Sequence, residues 1–549
     1  MLRALNGLAW AIAVTAIVAG IKLGARAAAG ADSYGYISEA DLWLQGRPWI
    51  LQPFVDRIPW SDRWTFTPLG YKPAPERWSV APPVAHPPVD RGAIVPSYSA
   101  GLPLLMAVAK AVAGQCAIFW IVPLFGGVLI LATYALGARA GSPAAGLAGA
   151  WLTATSPTFV VSLLAPMSDI PAAAAWAVAW WCLLGRTVAS AVGAGAALAL
   201  AIVVRPNLAP LTAAVAIYLA LRVRRVEAPD RRRQIRRGVV VAAGVAVGVL
   251  ITSAINWVLY GSPLSSGYGP LRDQFHAANV MPNVANYGRW FVEEHTIVPL
   301  IGAIVAIVLA ALRRLPQTID RDAVVAAAVF TAGLWANYVF YLIFESSSYL
   351  RFVLPSWPFV MIGAALAAQA VVGAFHGRAA TVAAAIAIVG GASLGARGVY
   401  RAAGAGAFDQ RESESRYILA GKWVRLLTPP NSVVMAMQHS GSLRYYGGRV
   451  TMRYDTVDRD VLDRRIQWFS DRGIRTFAVL DDWEVDVFKA RFGRQGNGLA
   501  NALVRLPNIR VFDLNESATT QGGWSTVPAA SEPLCVPPQP QPTLRLTPQ

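Results

Sequence analysis

Two acidic residues lie where an apolar segment of this sequence gives way to polar chain. Asp32 follows the first apolar segment and opens the stretch DSYGYISEA, and Asp169 lies in the short turn APMSDIP. An ionised carboxylate at the end of a hydrophobic span loses hydration unless it faces water, a partner charge or a substrate. Two such acids on one face of a membrane can divide labour, one deprotonating a hydroxyl while the other orients it or binds a divalent cation.

Asp169 also fits a structural role. It precedes Ile-Pro, and a carboxylate at that place can accept the free amide hydrogens of a first helical turn and complement the helix dipole. Capping and catalysis are compatible, so the sequence leaves both interpretations open. Whether a metal ion takes part stays unknown at this point.

Basic and aromatic residues accompany the acids at other segment ends. Arg205 lies in RPN, Arg351 in YLRF and Tyr268 in GSPLSSGY. A guanidinium at the membrane boundary can hold a lipid-linked phosphate through paired donors. The alternative for either arginine is a side chain that extends along the apolar surface to reach the interface. His276 is a lone histidine without ligand spacing, and a structural role is expected for it.

The composition indicates a membrane protein. The chain has 549 residues, of which 55% are hydrophobic and 14% charged, with a mean hydropathy of +0.43, whereas about 25% charged residues is usual for soluble domains. Much of the net charge of +17 lies in short basic loops between apolar segments, as topology determinants do, so we expect no nucleic-acid partner. The three cysteines, Cys116, Cys182 and Cys535, suggest neither a disulfide framework nor a zinc site.

Eleven apolar runs are long enough to cross a bilayer. They lie near residues 5–24, 117–137, 144–164, 168–185, 188–204, 206–222, 238–259, 295–312, 323–344, 352–373 and 379–398. The arginine-rich linker 221–238 is cytoplasmic by the positive-inside rule. The run 96–114 is short and interrupted by Lys110, so we interpret it as an interfacial helix that ends an outer loop, 30–116. This predicts an all-α polytopic membrane domain, 1–398, with a cytoplasmic N-terminus and an outer C-terminus.

A soluble α/β domain is expected at 399–516. Short apolar runs at 432–438, 450–454, 474–480 and 508–514 predict strands, and 413–427, 458–472 and 482–493 have helical spacing. The Asp481-Asp482 pair would lie at a strand end, where ligands often bind in open sheets, although a solvated turn is the alternative. The Pro-, Gln- and Thr-rich segment 517–549 is expected to be a disordered tail.

The order of these motifs resembles the GT-C superfamily of polyprenyl-phosphate-sugar-dependent membrane glycosyltransferases, which includes the protein O-mannosyltransferases and the lipid A aminoarabinose transferase. Asp32 and Tyr36 after the first span are similar to the start of that family, and the serine at position 33 departs from it, since many relatives have a larger polar or acidic residue there. The other matching motifs are Tyr98-Ser99-Ala100-Gly101-Leu102-Pro103, Asp169, Arg205-Pro206, Asn256 with Gly261-Ser262-Pro263 and Tyr268, and Arg351-Phe352-Val353-Leu354-Pro355.

The resemblance implies an inverting hexosyl- or pentosyltransferase in the plasma membrane. It would move a sugar from a polyprenyl-phosphate carrier to a glycolipid, polysaccharide or protein on the outer face. Asp32 would be the general base and Asp169 would orient the acceptor or a divalent cation. Tyr36, Arg205, Tyr268 and Arg351 would bind substrate and carrier. A transporter or lipid-sugar flippase, or a scaffold without catalysis, are the alternatives.

Overall fold

Apolar helices make up most of the computed structural model, which describes residues 2–75, 92–492, 502–515 and 535–546. Residues 76–91 of the loop predicted at 30–116, residues 493–501, and residues 516–534 and 547–549 of the predicted tail lie outside the described residues. The α-helices described are, in chain order, α1 Leu2–Leu23, α2 Asp32–Leu44, α3 Gly101–Ala113, α4 Ile121–Arg139, α5 Pro143–Ala154, α6 Pro157–Leu163, α7 Asp169–Leu183, α8 Val188–Val204, α9 Thr212–Arg225, α10 Ala228–Tyr260, α11 Val280–His295, α12 Val298–Ala311, α13 Arg321–Val339, α14 Trp357–Gly373, α15 Gly377–Gly404, α16 Gln410–Leu427, α17 Ser442–Tyr445, α18 Leu462–Ser470 and α19 Asp482–Phe492.

The strands are short and belong to two sheets. They are β1 Tyr71–Pro73, β2 Ile94–Pro96, β3 Ser432–Met435, β4 Val450–Met452, β5 Arg475–Asp481, β6 Val504–Leu506 and β7 Ile509–Asp513. The chain divides into two units, of which the first comprises Met1–Gly24, Trp120–Ala254 and Gly269–Gln410, and the second comprises Ala25–Phe119, Ile255–Tyr268 and Arg411–Gln549.

The first unit has the helices of a multi-pass membrane protein. Seven helical segments of the described residues are long and apolar enough to cross a bilayer, and counting each of two sharply bent pairs as one span gives nine. The predicted count of eleven is therefore not confirmed. Two of the predicted spans, 168–185 and 188–204, form α7 and α8, which have only 15 and 17 residues.

Proline and serine explain one of the bends. The predicted span 144–164 is divided into α5 and α6, which meet at 62°. Ser156 caps α6 by accepting the amide hydrogen of Phe159, and Pro157 occupies the first helical position. Proline has no amide hydrogen for a preceding turn, and a serine cap starts a new helix, so the Ser-Pro pair breaks the span.

Small residues set the spacing of the helices in this unit. Gly137 of α4 faces Gly146 of α5 so closely that a Cβ added at residue 137 would lie 2.3 Å from the Cα of Gly146. Close backbone approach through small residues is the usual way in which helices associate in a bilayer, where burial of apolar side chains gives little driving force.

The second unit is organised around a five-stranded mixed sheet in the order β4-β3-β5-β7-β6. Strand β3 pairs in parallel with β4 and β5, and β7 pairs antiparallel with β5 and β6. A strand occurs at each of the four places where the sequence predicts one, and α16, α18 and α19 occupy the three predicted helical segments. The strand β6 was not foreseen, because only three residues pair.

The segment 25–119 packs onto this sheet. Phe54 and Phe66 share one core with Val433 and Met452. The buried Arg444 donates hydrogen bonds to Gln52 Oε1 at 2.8 Å and to the carbonyl oxygen of Phe66 at 2.5 Å. The division of the chain therefore differs from the predicted boundary at residue 398, because a long loop near the N-terminus belongs with the C-terminal sheet.

The interfacial helix predicted at 96–114 is α3. Its Lys110 forms an ion pair with Asp41 of α2, so the charge that interrupts the apolar run has a specific partner. Val108 and Val112 on another face are 64% and 82% exposed. An exposed apolar face beside a paired lysine is consistent with a helix that lies along a bilayer surface.

Residues 535–546 differ from the expected disorder. Leu544 and Leu546 are buried in the core beside the sheet, and Arg545 and Asn431 exchange two hydrogen bonds. Cys535 forms a disulfide with Cys116, with a Cα–Cα distance of 5.2 Å, so the expectation of no disulfide is wrong. The pair is 419 residues apart in sequence, and no spacing rule could indicate it.

The cysteines should be distinguishable by labelling. Cells making the full-length chain are denatured in N-ethylmaleimide, reduced, and treated with a polyethylene-glycol maleimide that retards each labelled chain on a gel. We expect two adducts after reduction and none without reduction, because only Cys116 and Cys535 are protected. The Cys116→Ser variant should show none in either case. A wild-type chain without adducts after reduction would contradict the disulfide.

Candidate active site

Three of the predicted residues meet in the first unit and are called here the arginine cluster: Asp169, Arg205 and Arg351. Asp169 is the first residue of α7 and is buried. Arg205 Nη2 donates to Asp169 Oδ1 at 2.6 Å, and Arg351 Nε lies 3.7 Å from Oδ2. Each oxygen of the one carboxylate therefore faces a different guanidinium.

Local backbone structure brings the two arginines to the acid. Arg205 follows the last residue of α8 and has φ −140° and ψ 84°, outside the helical region, which the following proline disfavours. Arg351 lies in the 3₁₀ segment Ser347–Ser356 that leads into α14. The ring of Phe352 lies below both guanidinium carbons, at 5.3 and 5.4 Å from its centroid. This aromatic face holds the two cations at one place.

Asp169 acts here as an anchor for arginines. The N-cap residue of α7 is Ser168, whose side chain makes no capping hydrogen bond and instead accepts one from Arg205 Nε at 3.3 Å. The position of Asp169 in the first turn still places negative charge near the positive end of the helix dipole. The capping interpretation is therefore not supported, because Ser168 is the N-cap residue and the Asp169 carboxylate pairs with arginine side chains.

The arginine cluster has two positive charges and one negative charge. Guanidinium groups match the oxygens of a phosphate through paired donors. Tyr338 flanks the set: its ring stacks on Phe352 at 5.1 Å, and its hydroxyl accepts a hydrogen bond from Asn207 Nδ2 at 2.9 Å.

An apolar cavity lies in the same unit. It has a volume of about 350 Å³ and is bounded by α4, α7, α12, α13 and α14, of which α7 begins with Asp169. Trp335, one turn before Tyr338 on α13, and Phe359, a few residues after the arginine segment, both line it. A hydrophobic chain with a phosphate at its end would suit a unit that has both a cavity and a cationic cluster.

The other predicted residues, Asp32, Tyr36 and Tyr268, lie in the second unit around Tyr98, and these four residues are called here the tyrosine cluster. Asp32 is the first residue of α2, and the Tyr98 hydroxyl donates to its Oδ1 at 2.5 Å. The Tyr98 ring lies 4.8 Å from that of Tyr36 and 5.9 Å, edge-on, from that of Tyr268. Burial, and then the charge of Asp32, raise the pKa of Tyr98, so this phenol stays a hydrogen-bond donor.

Gly35 leaves room for the Tyr98 ring to lie against α2. A Cβ added at Gly35 would lie 2.4 Å from two ring carbons of Tyr98. Gly35 follows Asp32 by three residues, so it lies on the same side of the first turn of α2. The spacing of Asp, Gly and Tyr in DSYGY therefore has a packing reason.

Sequence reasoning missed Tyr98 as a site residue, although it lies in a quoted motif, and it missed Glu39. Glu39 is fully buried on α2; its Oε1 accepts from Trp43 Nε1 at 3.1 Å, and its Oε2 has no hydrogen-bond partner among the described residues. Burial raises the pKa of Glu39 to about 8. An acid inside an otherwise apolar helical face was the available signal.

No set of three or more His, Cys, Asp or Glu residues that could hold a metal ion occurs among the residues that the structure describes. Asp169, the acid considered for a divalent cation, faces two guanidinium groups instead.

A comparison with protein families gives a match that covers part of the chain. Residues 96–257 match the family model described as dolichyl-phosphate-mannose-protein mannosyltransferase. No curated protein sequence is significantly similar to the chain.

Solved structures resemble nearly the whole chain. ArnT from Cupriavidus metallidurans bound to undecaprenyl phosphate is 13% identical, with a TM-score of 0.57, over 94% of this chain and 99% of that one. The Archaeoglobus fulgidus oligosaccharyltransferase tethered with an acceptor peptide is 14% identical, with a TM-score of 0.54, over 86% and 69%. The archaeal oligosaccharyltransferase AglB of the same organism, in complex with an inhibitory peptide and a dolichol-phosphate, is 14% identical, with a TM-score of 0.52, over 86% and 69%.

Glu39→Gln should change how stability depends on pH. The folded chain keeps the proton of Glu39 up to a pH of about 8, whereas the unfolded chain releases it near 4.5. Between these values the folded state binds more protons, so a rise in pH lowers the free energy of unfolding, by about 1.4 kcal/mol per pH unit from this group. Glutamine removes that contribution. The unfolding midpoints of both proteins are measured in detergent at pH 5, 6.5 and 8. The midpoint of the variant relative to that of the wild type should increase with pH. A difference that stays constant would contradict the raised pKa of Glu39.

Proposed function

We propose that this protein, which has the fold of the GT-C superfamily of membrane glycosyltransferases, transfers a sugar from a polyprenyl-phosphate carrier to an acceptor hydroxyl. The observation that carries the proposal is the arginine cluster, whose acid starts α7, one of the helices that also bound an apolar cavity. A polyprenyl phosphate has both matching parts, an anionic head and a hydrocarbon chain. Undecaprenyl phosphate in ArnT and dolichol-phosphate in AglB are ligands of the same kind.

Asp32 is the proposed general base. Its carboxylate takes the proton of the acceptor hydroxyl while that oxygen attacks the anomeric carbon of the sugar and the bond from this carbon to the phosphate breaks. Attack from the side opposite the phosphate inverts the anomeric centre. Tyr98 orients the carboxylate through the hydrogen bond to Oδ1, and Tyr36 and Tyr268 hold the Tyr98 ring.

Arg205 and Arg351 are the proposed partners of the leaving phosphate. Negative charge on the phosphate increases as the bond to the sugar breaks, and positive groups fixed in advance stabilise that charge. Asp169 positions the two guanidinium groups, so we propose that it acts through them and leave the acceptor to Asp32.

We place the reaction on the outer face of the plasma membrane. The Cys116–Cys535 disulfide supports this location for the second unit, because disulfides persist in oxidising compartments and are rare in the cytosol. The cytoplasmic assignment of the arginine-rich linker rests on the positive-inside rule and agrees with this orientation.

Asp32→Asn should stop turnover. Asparagine keeps the shape of the side chain but cannot take a proton, and general-base catalysis contributes roughly 10²–10⁴-fold to the rate. The measurement is release of polyprenyl phosphate from a labelled polyprenyl-phosphate sugar by the purified protein, followed by mass spectrometry. The control is Asp273→Asn, since Asp273 is exposed.

Full activity in a folded Asp32→Asn protein would remove the proposed base. A wild-type protein that moves the donor lipid between leaflets of a vesicle but leaves the sugar bond intact would instead favour the transporter or flippase.

Arg205→Lys and Arg351→Lys should each weaken binding of the sugar donor. Lysine keeps the charge but loses the paired donors, and loss of one charge-assisted hydrogen bond corresponds to a rise of roughly tenfold or more in the KM for the donor. The control is Arg272→Lys, because the Arg272 side chain is 87% exposed. An unchanged donor KM in both cluster variants, with unfolding midpoints like that of the wild type, would contradict phosphate binding by these arginines.

A further inference from the structure

The second unit has another group of polar side chains, which the proposed chemistry does not use. It lies at the carboxyl ends of β3 and β5. The chain runs from β3 to its neighbour β4 and then returns to β5 on the other side of β3, so the direction of strand addition reverses between β3 and β5. In sheets with parallel strands, ligands bind in the crevice at the carboxyl ends beside such a reversal.

Three side chains form what we call the switch-point cluster: Arg416, His439 and Asp481. His439 Nε2 lies 3.0 Å from Asp481 Oδ1, and Arg416 Nε lies 3.5 Å from the same oxygen. Burial acts to raise the pKa of Asp481, but the hydrogen bond and charge of His439, the charge of Arg416 and the Trp483 indole together lower it. The carboxylate is therefore held in its charged form.

Two buried atoms of this cluster lack a hydrogen-bond partner in the described part of the chain. His439 and Asp481 are 0% and 2% exposed, and neither His439 Nδ1 nor Asp481 Oδ2 has a hydrogen-bond partner among the described residues. Buried polar atoms in native proteins nearly always have partners. A ligand hydroxyl can serve both atoms, because it donates to a carboxylate oxygen and either donates to or accepts from an imidazole nitrogen.

An aromatic side chain stands at the rim of the cluster. Trp483 lies in the first turn of α19, is 54% exposed, and is close enough for its indole to affect the Asp481 carboxyl. The ring of Tyr417 lies 4.4 Å from that of His439. Exposed aromatic faces beside fixed polar groups suit ligands that have both apolar and hydroxyl surfaces, as sugar rings do.

The charge balance at this edge opposes an anionic ligand. Glu484 Oε2 accepts the amide hydrogen of Asp481 at 2.9 Å, and Glu414 lies near enough to Arg416 and Asp481 for their charges to act on it. Burial raises the pKa of Glu414 and of Glu484. The carboxyl groups of Asp481 and Glu414 thus lie beside the Arg416 guanidinium and that of Glu484 lies next to Asp481, so a neutral ligand meets less repulsion than an anion does.

The cluster adjoins the segment that leads to the proposed base. A Cβ added at Gly30 would lie 3.6 Å from Gln438 Oε1 and 3.7 Å from the Tyr417 hydroxyl. Gln438 precedes His439, and Gly30 precedes Asp32 by two residues. A ligand on this edge would therefore lie beside the start of α2.

We propose that the switch-point cluster, with Trp483 at its rim, binds a neutral oligosaccharide, and that this oligosaccharide is the acceptor. Asp481 and His439 receive sugar hydroxyls, Arg416 donates to them, and the indole of Trp483 stacks on one ring. The acceptor role rests on the function proposed above, whereas the binding itself does not.

The test uses the full-length protein in nanodiscs without donor. The probes are neutral hexose and pentose oligosaccharides of four to six units, the same sugars with sulfate or carboxylate groups, and a Ser/Thr-rich peptide. We expect binding of neutral oligosaccharides, about tenfold weaker in Trp483→Ala and largely restored in Trp483→Tyr, because stacking needs an aromatic face. The control is Val487→Ala, an exposed residue one turn further along α19.

Several results would overturn the proposal. They are the absence of binding to every neutral oligosaccharide, preference for the sulfated sugars or the peptide, and equal affinity in wild type and Trp483→Ala. Asp32→Asn should bind oligosaccharides like the wild type, since binding is measured without chemistry. If the wild type binds oligosaccharides but does not cleave the donor, the proposed transferase activity is wrong and the binding site stands. If the wild type cleaves the donor but binds no oligosaccharide, only the binding site is wrong.

Discussion

The site in the first unit depends on one buried ionic interaction, that of Asp169 with Arg205 and Arg351. Burying charge is costly, and loss of one partner from a buried pair costs about 3–5 kcal/mol. Here the acid starts one helix, one arginine ends another, and the second arginine lies in a 3₁₀ segment. The interaction therefore fixes three chain segments at once.

A different constraint organises the second unit, where parts of the chain far apart in sequence form one core. Phe66 from the first loop packs with Met452 beside the sheet, Arg444 bonds to Gln52, and a disulfide joins Cys116 to Cys535. The helix α2, which carries Asp32, contacts the C-terminal part of the chain through Asp41, which accepts a hydrogen bond from the Tyr445 hydroxyl at 2.8 Å. This gives the C-terminal domain a physical link to the tyrosine cluster, which a domain boundary at residue 398 would not provide.

Charged residues beside apolar runs can be recognised from the sequence, whereas their partners cannot. An acid or arginine beside an apolar run is conspicuous because burial of charge is costly, so Asp32, Asp169, Arg205 and Arg351 could be singled out from local pattern. Which of them meet depends on tertiary packing. For the same reason the Cys116–Cys535 disulfide was not predicted, and the Pro-rich composition gave no sign that Leu544 and Leu546 are buried in a core. The count of eleven spans is not confirmed, because hydropathy registers neither a break such as Ser156-Pro157 nor the short length of α7 and α8.

The two predicted catalytic acids differ in the contacts described above. Asp169 faces the guanidinium groups of Arg205 and Arg351, whereas one oxygen of Asp32 accepts a hydrogen bond from the Tyr98 phenol. A fixed pair of cations suits stabilisation of a negatively charged leaving group, and a carboxylate oriented by a hydroxyl group suits a general base. The proposed division of labour, with Asp32 as the base and Asp169 as the anchor of the arginines, follows from these contacts.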